Sequence, residues 1–514
     1  MSPHADMLPE SPGAPAVQPP FTSFLSSPLV SAPENRSHLR YTPVDELHDL
    51  ICVGFGPASL AIGVALHDAL DGSDASLVDI PGLQGRAPKV AFLEKQGQFS
   101  WHAGMLLPGA KMQISFMKDM ATMRNPRSDF TFVNYLHSQG RLVEFANLHT
   151  FLPARVEYED YMKWCAAWFD DVVSYGQEVV QVVPEQSAEA AGQVGAFKVV
   201  SRNARTGMVE TRRARHVVIA VGGRAHVPAP FPAGHARVVH SSMFSYLSKE
   251  ILAYHEKPYR VAVVGNGQSA AEIFDFLHAN YPASRTNLLI KGGALRPSDD
   301  SPFVNEIFNP SRTDCTYARD PTLRTTTLLE DKGTNYGVVR LPLLEHIYET
   351  LYMQRIRHGN TPADETHWPH RILPYRRVTA VTDTPGGLRL EVEDASPLYL
   401  SDVEGGKVRQ EVLDVDVVFV ATGYRRDVHE ELLRDAKELM PAGGGDKWQV
   451  GRDYRVRFGG KSVSSDAGVW LQGCCEGTHG LSDTLLSVLA TRGGEIVRSI
   501  FDKPTVWDGD VLSV

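Results

Sequence analysis

A chain of 514 residues, 43% hydrophobic and 22% charged, is too long for one compact core and has a globular composition, so two or three domains are expected. Its formal net charge of -10 offers no basic field, and no stretch interleaves Arg or Lys with aromatics, which argues against nucleic acid as a partner. Cys52, Cys165, Cys315, Cys474 and Cys475 contain no CxxC and no paired ligand spacing, so no disulfide framework and no metal are expected, and no run reaches the ~18 to 20 apolar residues of a membrane span.

Residues 1–45 are rich in Pro, Ser and Ala and carry Asp6, Glu10 and Glu34, which predicts a disordered tail, not an Arg-rich transit peptide, and a cytoplasmic protein. Order is expected from Glu46, where HDLICVGFGPASLAIGVALHDAL reads as strand, glycine turn and helix. Residues 71–88 read as an irregular insertion, and KVAFLEK (89–95) as a second strand ending on Glu94. YRVAVVGNGQSAAEIFDFLHANY (259–281) repeats the pattern, followed by the strand TNLLIK (286–291), and two such units imply two nucleotides.

Between and after these units, HVVIAVGG (216–223) and VDVVFVATGY (415–424) read as crossover strands joining two nucleotide domains. VWLQGCCEGTHGLSDTLLSVLATRGGEIVRSIF (469–501) then reads as strand, polar loop and an amphipathic helix beginning near Ser482 or Asp483. The expected class is α/β with two Rossmann-like dinucleotide-binding domains: one over 46–240 and 415–514, the other over 241–414 with a small substrate-binding region at about 293–375.

Gly54 and Gly56 admit a pyrophosphate close to the backbone, and the helix opening at Pro57 stabilises its charge; Ser59 departs from GxGxxG at the last position. Glu94 lies 40 residues after Gly54, against the usual ~20, the insertion accounting for the excess, and would accept hydrogen bonds from a ribose. The second turn is Gly265, Asn266, Gly267, Gln268 and Ser269. Its next strand ends on Lys291, where a cation attracts a 2'-phosphate that a carboxylate would repel, favouring NADPH over NADH.

GFGPASL (54–60), FSWHAGMLLPGAKMQISFMKDMATMRNPRSDFTFVNYL (99–136), VVGNGQSAAE (263–272), RPSDDSPFVNEIFNP (296–310), NYGVV (335–339), ATGY (421–424) and THGLSDTLLSVLA (478–490) resemble the L-ornithine N5-monooxygenase family of siderophore biosynthesis, a branch of the class B flavin-dependent N-hydroxylating monooxygenases. The resemblance spans everything after the tail. It implies FAD contacts at Gly54, Gly56, Pro57, the run Glu94, Lys95, Gln96, Gly97, Gln98, Phe99, Ser100, Trp101 and His102, then Met112, Gln113, Val179 (or, by a one-residue slip, Val180), Thr484, Leu485 and Leu486. A helix beginning near Asp483 would in addition aim its first-turn N–H groups at the flavin edge where negative charge collects.

For NADPH the resemblance adds Asn335, Tyr336 and Gly337 to the second turn and Lys291. For substrate it implies Lys118, Asn305, Glu306, Ile307, Phe308, Asn335 and Ser487, with Lys118, Asn305 and Asn335 nearest the chemistry. Lys118 would pair an amino-acid carboxylate and Asn305 add a directional donor. The implied reaction is hydroxylation of the L-ornithine side-chain amine by O2 through a C4a-hydroperoxyflavin, shielded by bound NADP, in a homotetramer.

Lysine N6-hydroxylation differs by one methylene, worth about 1 to 3 kcal/mol in a pocket, and spacing does not separate the two; the NEIFNP segment leans to ornithine by resemblance. An NADPH-dependent flavin disulfide reductase needs a dithiol that no CxxC supplies, and a silent flavin-binding protein would have lost Lys118, Asn305, Asn335 or Ser487, all of which are present.

Overall fold

The apolar run in β1 (Leu47–Val53) is buried over its last four residues, the pattern of a strand covered on both faces. In the computed structural model, which describes residues 36–84, 86–187, 192–396, 408–443 and 445–502, β1 lies between β2 (Val90–Glu94) and β6 (Val209–Ile219), parallel to both. β3 (Val173–Tyr175) extends the sheet beyond β2. The first half of β6 pairs antiparallel with β5 (Val194–Asn203), which pairs with β4 (Gln177–Gln186). Its last four residues pair in parallel with a strand from near the C-terminus, Gly468–Leu471, numbered β17 below.

Two connections link this sheet to a second one: β7 (Arg224–Ala225) and β16 (Tyr424–Arg425) run antiparallel side by side. The second sheet is wholly parallel, in the order β11 (His370–Leu373), β10 (Arg285–Leu289), β9 (Arg260–Val264), β15 (Val417–Val420), β8 (Val238–His240). An antiparallel meander of β12 (Arg376–Thr384), β13 (Gly387–Asp394) and β14 (Arg409–Val415) packs on it, and β17 closes the chain order. The protein is therefore α/β with two Rossmann-like units.

Three boundaries differ from the sequence expectation. Residues 216–219 are not a crossover but the end of β6, at the centre of the first sheet. The expected return at 415 comes later, because β15 and also β8 belong to the second sheet; a short run buried on both faces suits either parallel sheet, so its residues do not say which. Of the expected tail, residues 1–35 lie outside the described residues, whereas 36–45 pack on the first unit: Leu39 is 1% exposed in the core and the Ser37 amide donates to the Trp168 carbonyl at 2.9 Å. Composition averages over 45 residues do not register one anchoring leucine.

The helix Pro57–Leu70 is buried from Ser59 to Ala69 between the sheet and the C-terminal helix Leu489–Phe501. Arg124, almost wholly buried, fixes this arrangement by reaching Asp68 at 2.6 Å, Asp74 in the insertion, and the Ala490 carbonyl at 3.2 Å. The 293–375 region is mostly helical and lightly buried, with Pro302–Asn305, Arg312–Ala318, Pro321–Lys332 and Leu341–His358. Several of these pieces lean on the loop of the first unit at 476–484, which brings the candidate substrate region onto that unit.

Candidate active site

Each glycine turn follows a central strand and opens a helix of more than a dozen residues. Gly54 has φ +90° and Gly265 φ +149°, values that favour glycine, and a Cβ at these positions would stand 2.8 Å from the Ala220 carbonyl oxygen and 2.4 Å from that of Ala421. Each turn is thus pressed against the end of the strand beside it. The helix N-caps, Gly56 and Gly267, have no side-chain cap and no acid follows in the first turn, so the first-turn N–H groups are left for an anion. A Cβ on Gly56 would meet nothing within 4 Å, leaving an open cradle. These features fit a dinucleotide pyrophosphate at each turn.

Glu94 is 6% exposed, and its carboxylate accepts the amides of Phe55 at 2.7 Å and Gln96 at 2.8 Å. It binds the first turn to the strand end, and each oxygen keeps a lone pair toward a ribose. Lys95, Gln96, Gly97 and Gln98 are exposed beyond β2, and Phe99 is buried with its ring 6.0 Å from that of Phe55. Ser100 and Trp101 are half-buried, and His102 sits 5.1 Å from the Trp101 ring and 5.9 Å from Tyr424, a residue of the return connection. Desolvation by the surrounding residues, then the cations Arg155 and Arg426, lower the His102 imidazole below the usual histidine value, although the residue keeps an exposed face. Met112 is core. Val179 pairs with Ser201 in β4, and a bulge leaves Val180 unpaired, so the two valines open to slippage sit at an irregularity of the strand.

The units meet through side chains on both sides of the second turn. Gln268 accepts from Gln113 at 3.4 Å and from the Arg340 amide at 2.9 Å, and donates to Glu272 at 2.9 Å. Glu272 in turn holds Arg155 of the first unit through two bonds of 2.8 and 3.0 Å, with both residues largely buried. On the other side, Tyr336 donates to Glu476 and lies 3.2 Å from the Thr484 hydroxyl, while Lys332 pairs with Glu476 at 3.3 Å. Gly337 passes 3.6 Å from where a Gly267 Cβ would be. The Asn335–Gly337 turn therefore joins the second glycine turn to the 484–486 segment. Lys291 is exposed two residues past the end of β10, its amide bonded to the Asn266 side chain at 3.0 Å.

The expected helix start near Asp483 is corrected. Residues 481–484 and 486–488 form two 3-10 turns, and the α-helix begins at Leu489. Asp483 does not cap it: its carboxylate is buried against Arg492 at 2.8 Å and accepts the Cys475 amide at 2.7 Å. Ser487 is 4% exposed and its hydroxyl has no hydrogen-bond partner among the described residues, the condition of a group awaiting a ligand.

Lys118 is half-buried with no ion-pair partner among the described residues, and burial lowers its ammonium below the usual lysine value. Its backbone is fixed by Tyr158, whose hydroxyl donates to the Lys118 carbonyl at 3.1 Å, and by Asp119, whose carboxylate accepts from Ala121, Thr122 and Phe132. A rigid backbone thus presents an unpaired cation. Met117 and Met123 are exposed, Met120 buried. Asn305 and Glu306 are exposed, bonded within their own segment to the Asp300 carbonyl and Arg312, while Ile307 is half-buried and Phe308 buried. The turn Glu306–Phe308 packs against Leu481–Thr484, which brings this segment to the loop that leads to Ser487. The half-buried Asn335 side chain makes no hydrogen bond among the described residues.

Arg155, Glu272, Arg426 and Glu476 were not among the candidates. Arg426, next to ATGY, faces both His102 and Tyr336 without a carboxylate partner among the described residues. The pair RR directly after a glycine-ending strand could have marked it; the others are long-range pairs that leave no local pattern. All five cysteines are free.

Residues 46–426 match the family described as L-lysine 6-monooxygenase/L-ornithine 5-monooxygenase. The chain is 73% identical to an L-ornithine N(5)-monooxygenase of Cochliobolus heterostrophus over all of this chain and 99% of that protein. It is similar to the ornithine hydroxylase of Pseudomonas aeruginosa, at TM-score 0.76 and 37% identity over 89% of this chain and 99% of that one. It is also similar to the ornithine N-hydroxylase of Kutzneria sp. 744 solved with reduced FAD, NADP+ and L-ornithine, at TM-score 0.75 and 35% identity over 88% and 99% of the two chains.

Proposed function

The chain belongs to the L-lysine 6-monooxygenase/L-ornithine 5-monooxygenase family, and from that premise we propose that it hydroxylates the side-chain amine of L-ornithine to N5-hydroxyornithine, using FAD, NADPH and O2. This is the first step of hydroxamate siderophore biosynthesis, carried out in the cytoplasm by a homo-oligomer, the homotetramer of the family. The observation that carries the reading is the contact of the two units across Gln113–Gln268 and Tyr336–Thr484, with Ser487 three residues past Thr484 and Lys118 five past Gln113, neither side chain having a partner among the described residues. Support for ornithine over lysine comes from the ornithine-acting relatives, and the free cysteines without a CxxC speak against a disulfide reductase.

Bound FAD, reduced by NADPH, supplies the oxygen-activating chemistry. The chain's own residues bind and orient. The first turn, Glu94 and the 95–102 run hold FAD, while the second turn, Lys291 and the Asn335–Gly337 turn hold NADPH. Lys118 pairs the α-carboxylate of ornithine, and Asn305 and Ser487 hydrogen-bond its polar end. Asn335, its side-chain amide unpaired among the described residues, would lie between substrate and nicotinamide and help exclude water.

Purified protein incubated with NADPH, O2 and either amino acid, with hydroxylamine product measured, tests the reading. Ornithine is expected to be turned over and lysine to drive little product; lysine turnover without ornithine product overturns the substrate, and absence of bound flavin overturns the class.

A further inference from the structure

At the far end of the Pro57–Leu70 helix from the first glycine turn, His67 and Asp71 stand on one face, four residues apart, and His38 from the 36–45 segment is stacked on His67 with ring centroids 4.5 Å apart. One ligand atom of each lies within 4.8 Å of the others. The geometry points to a binding site for one Zn2+-class divalent ion held by His38, His67 and Asp71, open to water at its remaining position. Cysteine spacing, the usual zinc signature, carried no trace of it, because the third ligand arrives from far upstream.

His67 is the fixed ligand. It is 3% exposed, wedged against the Phe130 ring at 5.1 Å and Trp168 at 5.6 Å. Among the described residues neither of its ring nitrogens makes a hydrogen bond: Nδ1 is buried without a partner there, and the Nε2 contact to Asp71 Oδ2, 3.6 Å, is too long for one. That 3.6 Å is close to the roughly 3.3 Å that separates two ligand atoms on a tetrahedral ion with bonds of about 2.0 to 2.1 Å. Asp71 is oriented: its Oδ1 accepts the Ser73 amide at 2.7 Å, which leaves Oδ2 for the ion.

His38 closes the set. Its neighbours Ser37 and Leu39 are 2% and 1% exposed, so its backbone is anchored, while its own side chain is exposed and can rotate off the face of the His67 ring, on which it is stacked, to turn a ring nitrogen to the ion. Imidazole and carboxylate together suit Zn2+, with Ni2+ and Cu2+ as chemical analogues and Ca2+ or Mg2+ disfavoured. Occupied, the site would staple the segment leading out of residues 1–35 to the first unit.

The test uses the full-length, FAD-loaded protein stripped with a chelator and titrated with Zn2+, bound metal being counted after gel filtration and thermal unfolding followed in parallel. Wild type is expected to retain one more ion per chain than His38→Ala, and to melt higher with Zn2+, the folding equilibrium gaining about 100-fold when free ion is 100 times Kd. Asp71→Ala should lose at least tenfold in affinity, and His38→Cys, another zinc ligand, should restore the ion that His38→Ala loses. Because His38 is exposed, its substitution leaves the fold intact. Equal stoichiometry in wild type and His38→Ala, or a Zn2+-induced melting shift that survives in His38→Ala, overturns the site.

Discussion

Replacing Lys118 by Ala removes a cation that the fold holds ready and does not otherwise use. The Lys118 backbone is clamped by Tyr158 and by the Asp119 network, none of which involves the ammonium, so the variant should fold, keep FAD and melt close to wild type. Because the ammonium pays desolvation with no carboxylate partner in return, its loss should if anything stabilise the unliganded protein slightly. With ornithine the sign reverses. Leaving a carboxylate unpaired costs roughly 3 to 5 kcal/mol in a dry site, and Lys118 is half-buried, so about 2 to 3 kcal/mol is the expected loss. At 1.4 kcal/mol per decade this is a rise of about 30- to 150-fold in the ornithine half-saturation. Parallel measurement of NADPH oxidation, peroxide and hydroxylated product at graded ornithine should show near-normal flavin reduction, with electrons diverted to peroxide. An unchanged half-saturation in a variant that retains FAD would refute the reasoning and move the carboxylate site elsewhere.

Lys291→Ala should weaken NADPH use by one to two orders of magnitude in stopped-flow flavin reduction and leave NADH nearly untouched, because only the 2'-phosphate loses a partner; equal losses with both coenzymes would remove that role. Asn335→Ala should lower product formed per NADPH consumed, with binding of NADPH little changed, since its amide is spare while Tyr336 anchors the turn to Glu476 and Thr484; unaltered coupling would place the nicotinamide elsewhere. Arg155→Leu strands a largely buried Glu272 and should lower stability by about 2 to 4 kcal/mol in chemical denaturation, with Arg155→Leu/Glu272→Leu recovering most of it; a double variant as unstable as the single one would show that the pair is not the source.

Both glycine turns were legible in the sequence because their geometry is local: strand, positive-φ glycine and uncapped helix follow one another within residues 47–70 and again within 260–280. The misreadings share a long-range cause. Asp483 carries every local mark of an N-cap, yet Arg492 and the Cys475 amide claim its carboxylate and the helix is displaced to Leu489. β15 is a short apolar run like the Val217–Ile219 end of β6, and only pairing with β9 and β8 assigns it to the second sheet. Lys118 has nothing in its own composition to separate it from a surface lysine; resemblance singled it out, and the clamp formed by Tyr158, 40 residues on, supplies the physical reason it stands unpaired. Arg155–Glu272 and Tyr336–Glu476 join segments more than a hundred residues apart, beyond the reach of any periodicity.

The pairing of β17 with β6 also sets an order of events during synthesis. All five strands of the second sheet lie within residues 238–420, so that sheet is complete once this stretch has left the ribosome. The first sheet is not: Val217–Ile219 of β6 wait for Val469–Leu471, roughly 250 residues later. At about 5 to 20 residues per second the bare edge lasts some 12 to 50 s. During that time an apolar, parallel-type edge strand is open to other nascent chains. The loop that carries Thr484 and Ser487 emerges still later, so the older half of the molecule, started first, is the last to become able to hold its nucleotide.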